Sequence, residues 1–185
     1  SVKWRRLLSS QKPNSDRRHT IAVLVDNEPG VLARVIGLFA GRGYNIESLT
    51  VSEVDAVKGY SRITIVTSGT DMVIEQIKAL LDRLVPVHMV EDLTVQGPCL
   101  ERELALVKVV NAGESRIEAL RIADMFRARA IDSTLNSFVF ELTGSPKKLN
   151  AFIELMSGLG ETEITRGGVV AMARGSGISL QNAKS

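Results

Sequence analysis

The sequence predicts an α+β fold made of two consecutive βαββαβ units, each ferredoxin-like: a four-stranded antiparallel sheet with two helices on one face. Three observations carry this. Apolar strand-like runs and helical stripes alternate in the order strand, helix, strand, strand, helix, strand. A turn-rich break, Gln96-Gly97-Pro98-Cys99, then interrupts the pattern. Beyond it the same order begins again and runs to about Met172.

In the first unit, Ile21-Ala22-Val23-Leu24-Val25 is a continuous apolar run, the mark of a central strand buried on both faces. Leu32, Val35, Ile36 and Phe39 follow at i, i+3, i+4 and i+7, one face of a helix. Gly41 and Gly43 end it. A strand over 45–54 comes next, with imperfect alternation: Glu47 and Glu53 share a face with Leu49 and Val51. Lys58-Gly59 turns the chain into a third strand, where Ile63 and Ile65 oppose Arg62 and Thr64. Thr70-Asp71 caps a second helix with Val73, Ile77, Leu80, Leu81 and Leu84 on its stripe. Pro86 stops it, and 87–95 is the fourth strand.

The second unit opens with a strand over 104–110 and a helix from Ser115, with Ala119, Ile122, Ala123, Phe126 and Ala130 on one side. A short strand over 131–135 precedes one in which Phe138, Phe140 and Leu142 alternate with Val139, Glu141 and Thr143. Ser145-Pro146 starts a helix carrying Leu149, Phe152, Ile153, Met156 and Leu159, ended by Gly158 and Gly160. Val169 to Met172 closes the unit. The expected division is a basic tail over 1–18, a first domain over 19–95, a linker over 96–101, a second domain over 102–174 and a tail over 175–185.

With 185 residues, 44% of them hydrophobic and 24% charged, the chain has the composition of a globular protein of one or two small domains. A net charge of +2 argues against nucleic acid or an anionic membrane as the main partner. The single cysteine, Cys99, excludes an internal disulfide and points to a reducing compartment. No apolar run approaches the roughly 20 residues of a membrane-spanning helix. Units this small bury only about 60% of their unfolded surface. Dimerisation is the expected remedy, with apolar runs such as 21–25 feeding it.

Catalytic chemistry finds little support. His19 and His88 both read as ordinary strand histidines, and neither has the spacing of a metal site. Glu101, Glu103, Glu161 and Glu163 read as charges flanking strands. Gly37, Gly41 and Gly43 lie in or after a helix, so they match no phosphate-cradling fingerprint. RNA-recognition modules share the βαββαβ order, but only Lys58, Gly59 and Tyr60 match their aromatic signature, and aromatics are 4% of the chain. No catalytic residue, metal ligand or bound cofactor is therefore assigned.

One stretch suggests recognition instead. Asp26-Asn27-Glu28-Pro29-Gly30-Val31-Leu32 is a polar turn entering a helix, and Asn45 begins the strand that follows the helix. The expectation is that the two asparagines and the free N–H groups of the helix start come close together. Helix N–H groups suit a carboxylate, amide oxygens an ammonium, and an apolar wall the side chain of a free amino acid. In this fold the first helix start and second strand also face each other across a two-fold contact, so the crevice is expected to lie between two copies.

These residues carry a resemblance. Asn27-Glu28-Pro29-Gly30-Val31-Leu32, Arg34-Val35, Gly37 and Arg42-Gly43-Tyr44-Asn45-Ile46-Glu47-Ser48-Leu49 are similar to the N-terminal ACT domain of the small, regulatory subunits of acetohydroxyacid (acetolactate) synthase. The similarity continues through Ser61-Arg62-Ile63-Thr64, Glu101 to Lys108, Phe126-Arg127-Ala128, Ile131-Asp132 and Arg166 to Ala171, and covers roughly 19–174.

The resemblance implies a non-catalytic partner of a large subunit that uses thiamine diphosphate, Mg and FAD. Such a partner raises the large subunit's activity and confers feedback inhibition by valine in branched-chain amino acid synthesis. It implies a homodimer through the ACT domains and valine contacts at Asn27, Gly30, Asn45 and Ile46, with Glu28, Pro29, Val31 and Leu32 lining the turn. Pro29 has no N–H, so Gly30 and Val31 are the expected donors to the carboxylate. A bacterial cytoplasm is the expected compartment, with the basic leader leaving an organellar origin open. Two other readings stand beside this one. The first is a free-standing ACT sensor acting on another partner, which lacks a DNA-binding or nucleotidyl-transfer segment. The second is an acylphosphatase-like enzyme, which would need an arginine where the turn at 26–30 is acidic.

Overall fold

A computed structural model describes residues 15–95 and 97–178. The chain divides into two compact units, Leu100–Met172 forming one and the chain before and after it the other. In the first, β1 (Arg17–Asp26), α1 (Val31–Gly41), β2 (Ser48–Asp55), β3 (Tyr60–Gly69), α2 (Asp71–Asp82) and β4 (Val87–Asp92) build an antiparallel sheet in the order β2-β3-β1-β4. Ile21, Val23 and Val25 of β1 and Ile63 and Ile65 of β3 meet Val31, Val35 and Phe39 of α1 and Ile74, Ile77 and Leu81 of α2 in one core. Ala22, Leu24, Thr64 and Val66, on the opposite sheet face, are buried as well. The unbroken apolar run over residues 21–25 of β1 follows from that double burial.

The second unit repeats the plan. It consists of β5 (Leu100–Val110), α3 (Glu114–Phe126), β6 (Arg129–Ser133), β7 (Ser137–Gly144), α4 (Pro146–Ser157) and β8 (Glu161–Arg166), in sheet order β6-β7-β5-β8. The far end of β5 pairs with β9 (Val170–Met172). Here β5 alternates cleanly. Ala105, Val107 and Val109 face the helices with Phe138, Phe140 and Leu142, whereas Leu104, Lys108 and Val110 are exposed. The four helices start in two ways. The second helix of each unit is capped by a hydroxyl, Thr70 accepting from Val73 N–H and Ser145 from Lys148 N–H. The first helix of each starts at a glycine with positive φ, Gly30 at 85° and Gly113 at 64°, with no side-chain cap.

Several elements differ from expectation. β1 starts at Arg17, so Arg17 and Arg18 pair with Gly69 and Ser68 instead of ending a tail. Residues 1–14 and 179–185 of the expected tails, and Gln96 of the expected linker, lie outside the described residues. Leu100 and Glu101 of that linker belong to β5. Leu32 and Ile36 do not enter the core: they are 37% and 40% exposed, and Val31 takes the buried place instead. Residues 21–25, expected to feed a contact between copies, are all buried within the chain. Ala130 falls in β6, not α3. The strand that completes the second sheet is β8, which the pattern did not show. Glu161 and Glu163 lie within it, not beside it, and Glu163 accepts from Lys108 across the pair. An edge strand needs only one apolar face and tolerates charge on the other, which hides it from periodicity.

Candidate functional site

The site is built at the end of β1. Asn27 N–H donates to Gly59 O at 2.7 Å, and Asp26 N–H to Pro86 O at 2.9 Å, so two neighbouring turns hold the chain as it leaves the sheet. Asp26 is fixed further by its carboxylate, 2.5 Å from His88 Nε2, and the His88 ring packs on Tyr60 with centroids 4.5 Å apart. Glu28 N–H returns to Asp26 O, and Pro29-Gly30 turns the chain into α1. Gly30 has the φ that disfavours a side chain, and nothing lies within 4 Å of where its Cβ would stand. The result is an exposed helix start. Its first N–H groups have no partner along the helix and carry the positive end of the helix dipole.

Around this start, Asn27, Glu28, Pro29 and Gly30 are exposed. Val31 contributes only backbone, because its side chain is 5% exposed and sits in the core. Its N–H makes a long contact of 3.4 Å to Glu28 O. Leu32 presents an apolar surface one turn from Ile36. Asn27 Nδ2 donates to Glu53 Oε2 at 2.6 Å. Glu53 lies opposite Ser61, in the row that holds Leu49 opposite Ile65 and Val51 opposite Ile63, so it points to the helix face of β2.

Asn45 and Ile46 are elsewhere. Asn45 is exposed and its carbonyl accepts from Thr67 Oγ1 at 2.6 Å, while Ile46 packs half-buried on the first core. Asn27 is tied to Gly59, before β3, and Asn45 to Thr67, near its end. Seven residues of strand separate Tyr60 from Thr67, about 23 Å at 3.3 Å per residue. The expectation that both asparagines meet at the helix start is therefore corrected for a single chain. They lie at opposite ends of the sheet.

The edge of the sheet beside them is open. β2 is the terminal strand, and its pairing with β3 is regular from Ser48 to Glu53 before a bulge near Asp55. Val51 is 44% exposed.

The two histidines are each held by a carboxylate. His19 Nδ1 lies 2.7 Å from Asp92 Oδ2. Thr94 Oγ1 approaches that same nitrogen and bonds Asp92, and among the described residues His19 Nε2, where a nucleophile's hydroxyl would bond, has no hydrogen-bond partner. Among the described residues no group of three or more His, Cys, Asp or Glu side chains could hold a metal ion, and no helix is long and apolar enough to cross a membrane. Sequence reading missed Glu53. Its one signal was a charge out of place in the alternation of β2.

Fold and site together define a pair of ACT-type ferredoxin-like modules. Residues 21–89 match the model of the ACT domain of acetohydroxyacid synthase small subunits, and residues 102–175 that of the small subunit of acetolactate synthase. The probable acetolactate synthase small subunit of Archaeoglobus fulgidus is 48% identical over 158 residues, 85% of this chain and 98% of its own. The acetolactate synthase isozyme 3 small subunit of Escherichia coli is 44% identical over 162 residues, 87% and 98% of the two chains. The crystal structure of the Thermotoga maritima acetolactate synthase small subunit superposes with a TM-score of 0.77 at 39% identity, covering 86% of this chain and 99% of that one. The chain belongs to the family of acetolactate synthase small subunits.

Proposed function

We propose that this chain is a non-catalytic regulatory subunit. It binds a large thiamine-diphosphate-dependent acetolactate synthase subunit in the cytoplasm, raises that subunit's activity, and inhibits it when valine accumulates. The observation that supports this reading best is the uncapped start of α1 beside Asn27, on the unit whose edge strand is open. A carboxylate is drawn to that helix start by N–H groups that have no partner along the helix and by the dipole. Leu32, exposed at the same start, suits a branched side chain.

Two copies complete the site. Antiparallel pairing of one β2 edge with another across a two-fold axis sets the start of one strand beside the end of its partner. Asn45 precedes β2, and Asn27 is bonded to Glu53 near its end. Such pairing therefore brings one copy's Asn45 toward the other's Asn27, which no single chain does. Leu32, Ile36 and Val51 supply apolar area for the same contact. Valine in that seam stiffens or shifts the dimer, and a coupling of about 1–3 kcal/mol to the catalytic subunit suffices for useful feedback.

The test uses the complex reconstituted with its large subunit. Asn27→Ala and Asn45→Ala are each expected to abolish inhibition by valine while the small subunit still activates. Loss of activation with valine sensitivity intact would count against the assignment.

A further inference from the structure

A charged side chain in the first unit breaks the apolar row of its strand. Glu53 is a charged residue on the helix face of β2, in the same row as Leu49 and Val51. Among the described residues its polar contact is Asn27 Nδ2, an amide donor from the turn at the helix start, and not a cation. Glu103 and Glu47, by contrast, each meet a cation. Glu103 is 5% exposed and takes the Arg166 guanidinium together with Gly168 N–H. Glu47 takes Ser68 Oγ, with Arg18 at 3.8 Å. Glu53 is left exposed, with negative charge next to a helix start that presents positive potential.

We infer that Glu53 reads the ammonium group of the effector, which makes the site selective for a zwitterion over its deaminated counterpart. The inference rests on the reading that the α1 start holds the effector carboxylate. Asn27 gives its amide hydrogen to one Glu53 oxygen. That leaves Asn27 Oδ1 and the second Glu53 oxygen as acceptors, while the helix N–H groups are donors only. Donors on one side and acceptors on the other match an amino acid, whose carboxylate and ammonium share one carbon. A 2-oxo acid with the same branched chain satisfies the donors but brings a carbonyl oxygen to two acceptors. Contacts of that kind are repulsive and cost affinity when desolvated.

The experiment is calorimetric titration of the full chain with L-valine and, separately, with 3-methyl-2-oxobutanoate, for wild type, Glu53→Gln and Asn27→Ala. In E53Q the side-chain carbonyl still accepts from the Asn27 amide, so the turn is kept while the charge is lost. The expected result is at least a tenfold weaker Kd for valine in E53Q, with binding of the oxo acid unchanged or stronger. Equal weakening of both ligands means that Glu53 merely positions Asn27, and overturns the inference. Unchanged valine affinity in E53Q, with binding lost in N27A, overturns it too but leaves the effector site standing. Absence of valine binding to the wild-type chain overturns both.

Discussion

The two units share a topology and enter their first helix through the same kind of turn, yet the asparagine before that turn is exposed in one and buried in the other. In the first, Asn27 and Gly30 are exposed and α1 begins without a side-chain cap. In the second, Asn111 is 8% exposed and gives its Nδ2 to Ser115 O, its N–H bonds Asn136 O, and the α4–β8 turn presses on it. A Cβ on Gly160 would stand 2.1 Å from Val110 O and 3.2 Å from Asn111 Cβ. The edges differ in the same sense. β2 runs eight residues with a regular register up to Glu53, whereas β6 has five residues and a bulge beside Ala130. Short, bulged, charged edges resist pairing. Where the same plan occurs twice, the copy with an exposed asparagine beside its helix start and a longer, more regular edge is the one that we propose takes a small ligand and a second chain. In the other copy the asparagine before the helix is buried and the edge strand is short and bulged.

The sharpest way to break this contrast is Gly160→Ala. The added methyl meets backbone that cannot swing aside, so the second unit is expected to lose about 3 kcal/mol or more, the upper end of overpacking costs. Chemical denaturation followed by two probes should then show the second unit melting first while the first unit's transition stays in place. Next comes the edge itself. Val51→Lys is expected to weaken self-association at least tenfold, about 1.4 kcal/mol, in sedimentation equilibrium, and Ile131→Lys on β6 to leave it unchanged. Equal effects from the two variants would remove the distinction between the edges. The smallest effects fall where the units agree. Thr70→Ala and Ser145→Ala each delete the hydroxyl cap of a second helix and should each cost about 1 kcal/mol in thermal unfolding.

Much of the fold was legible because its signals are local. Pro146 after Ser145, the glycines after α1 and the alternation of Phe138, Phe140 and Leu142 each act within a few residues. What escaped was set by distant packing. Leu32 and Ile36 carry the spacing of a core stripe, and only the seating of α1 decides that Val31, Val35 and Phe39 take the inner face. β8 stayed hidden because Glu-Thr-Glu-Ile-Thr-Arg carries a single apolar residue, so it shows no apolar alternation, and its pairing with β5 defines it as a strand. The turn at Asn27–Gly30 could be read as a recognition element. The two-fold relation that would join it to Asn45 was an expectation of the fold, whereas the placing of the two asparagines at opposite ends of one sheet depended on how far the strands run. Glu53 was visible only as a misfit, and its meaning needed the position of Asn27.

The missing cap at Gly30 has one further consequence. A helix lacking a cap frays more readily than one that has it. A metabolite carboxylate docked there would supply the absent partner, so the first unit would be more resistant to melting and proteolysis when the amino acid pool is full. With one site and ligand at a hundred times its Kd, that gain is about 2.7 kcal/mol. If the proposed site is right, the lifetime of the protein would then follow the supply of the amino acid bound there.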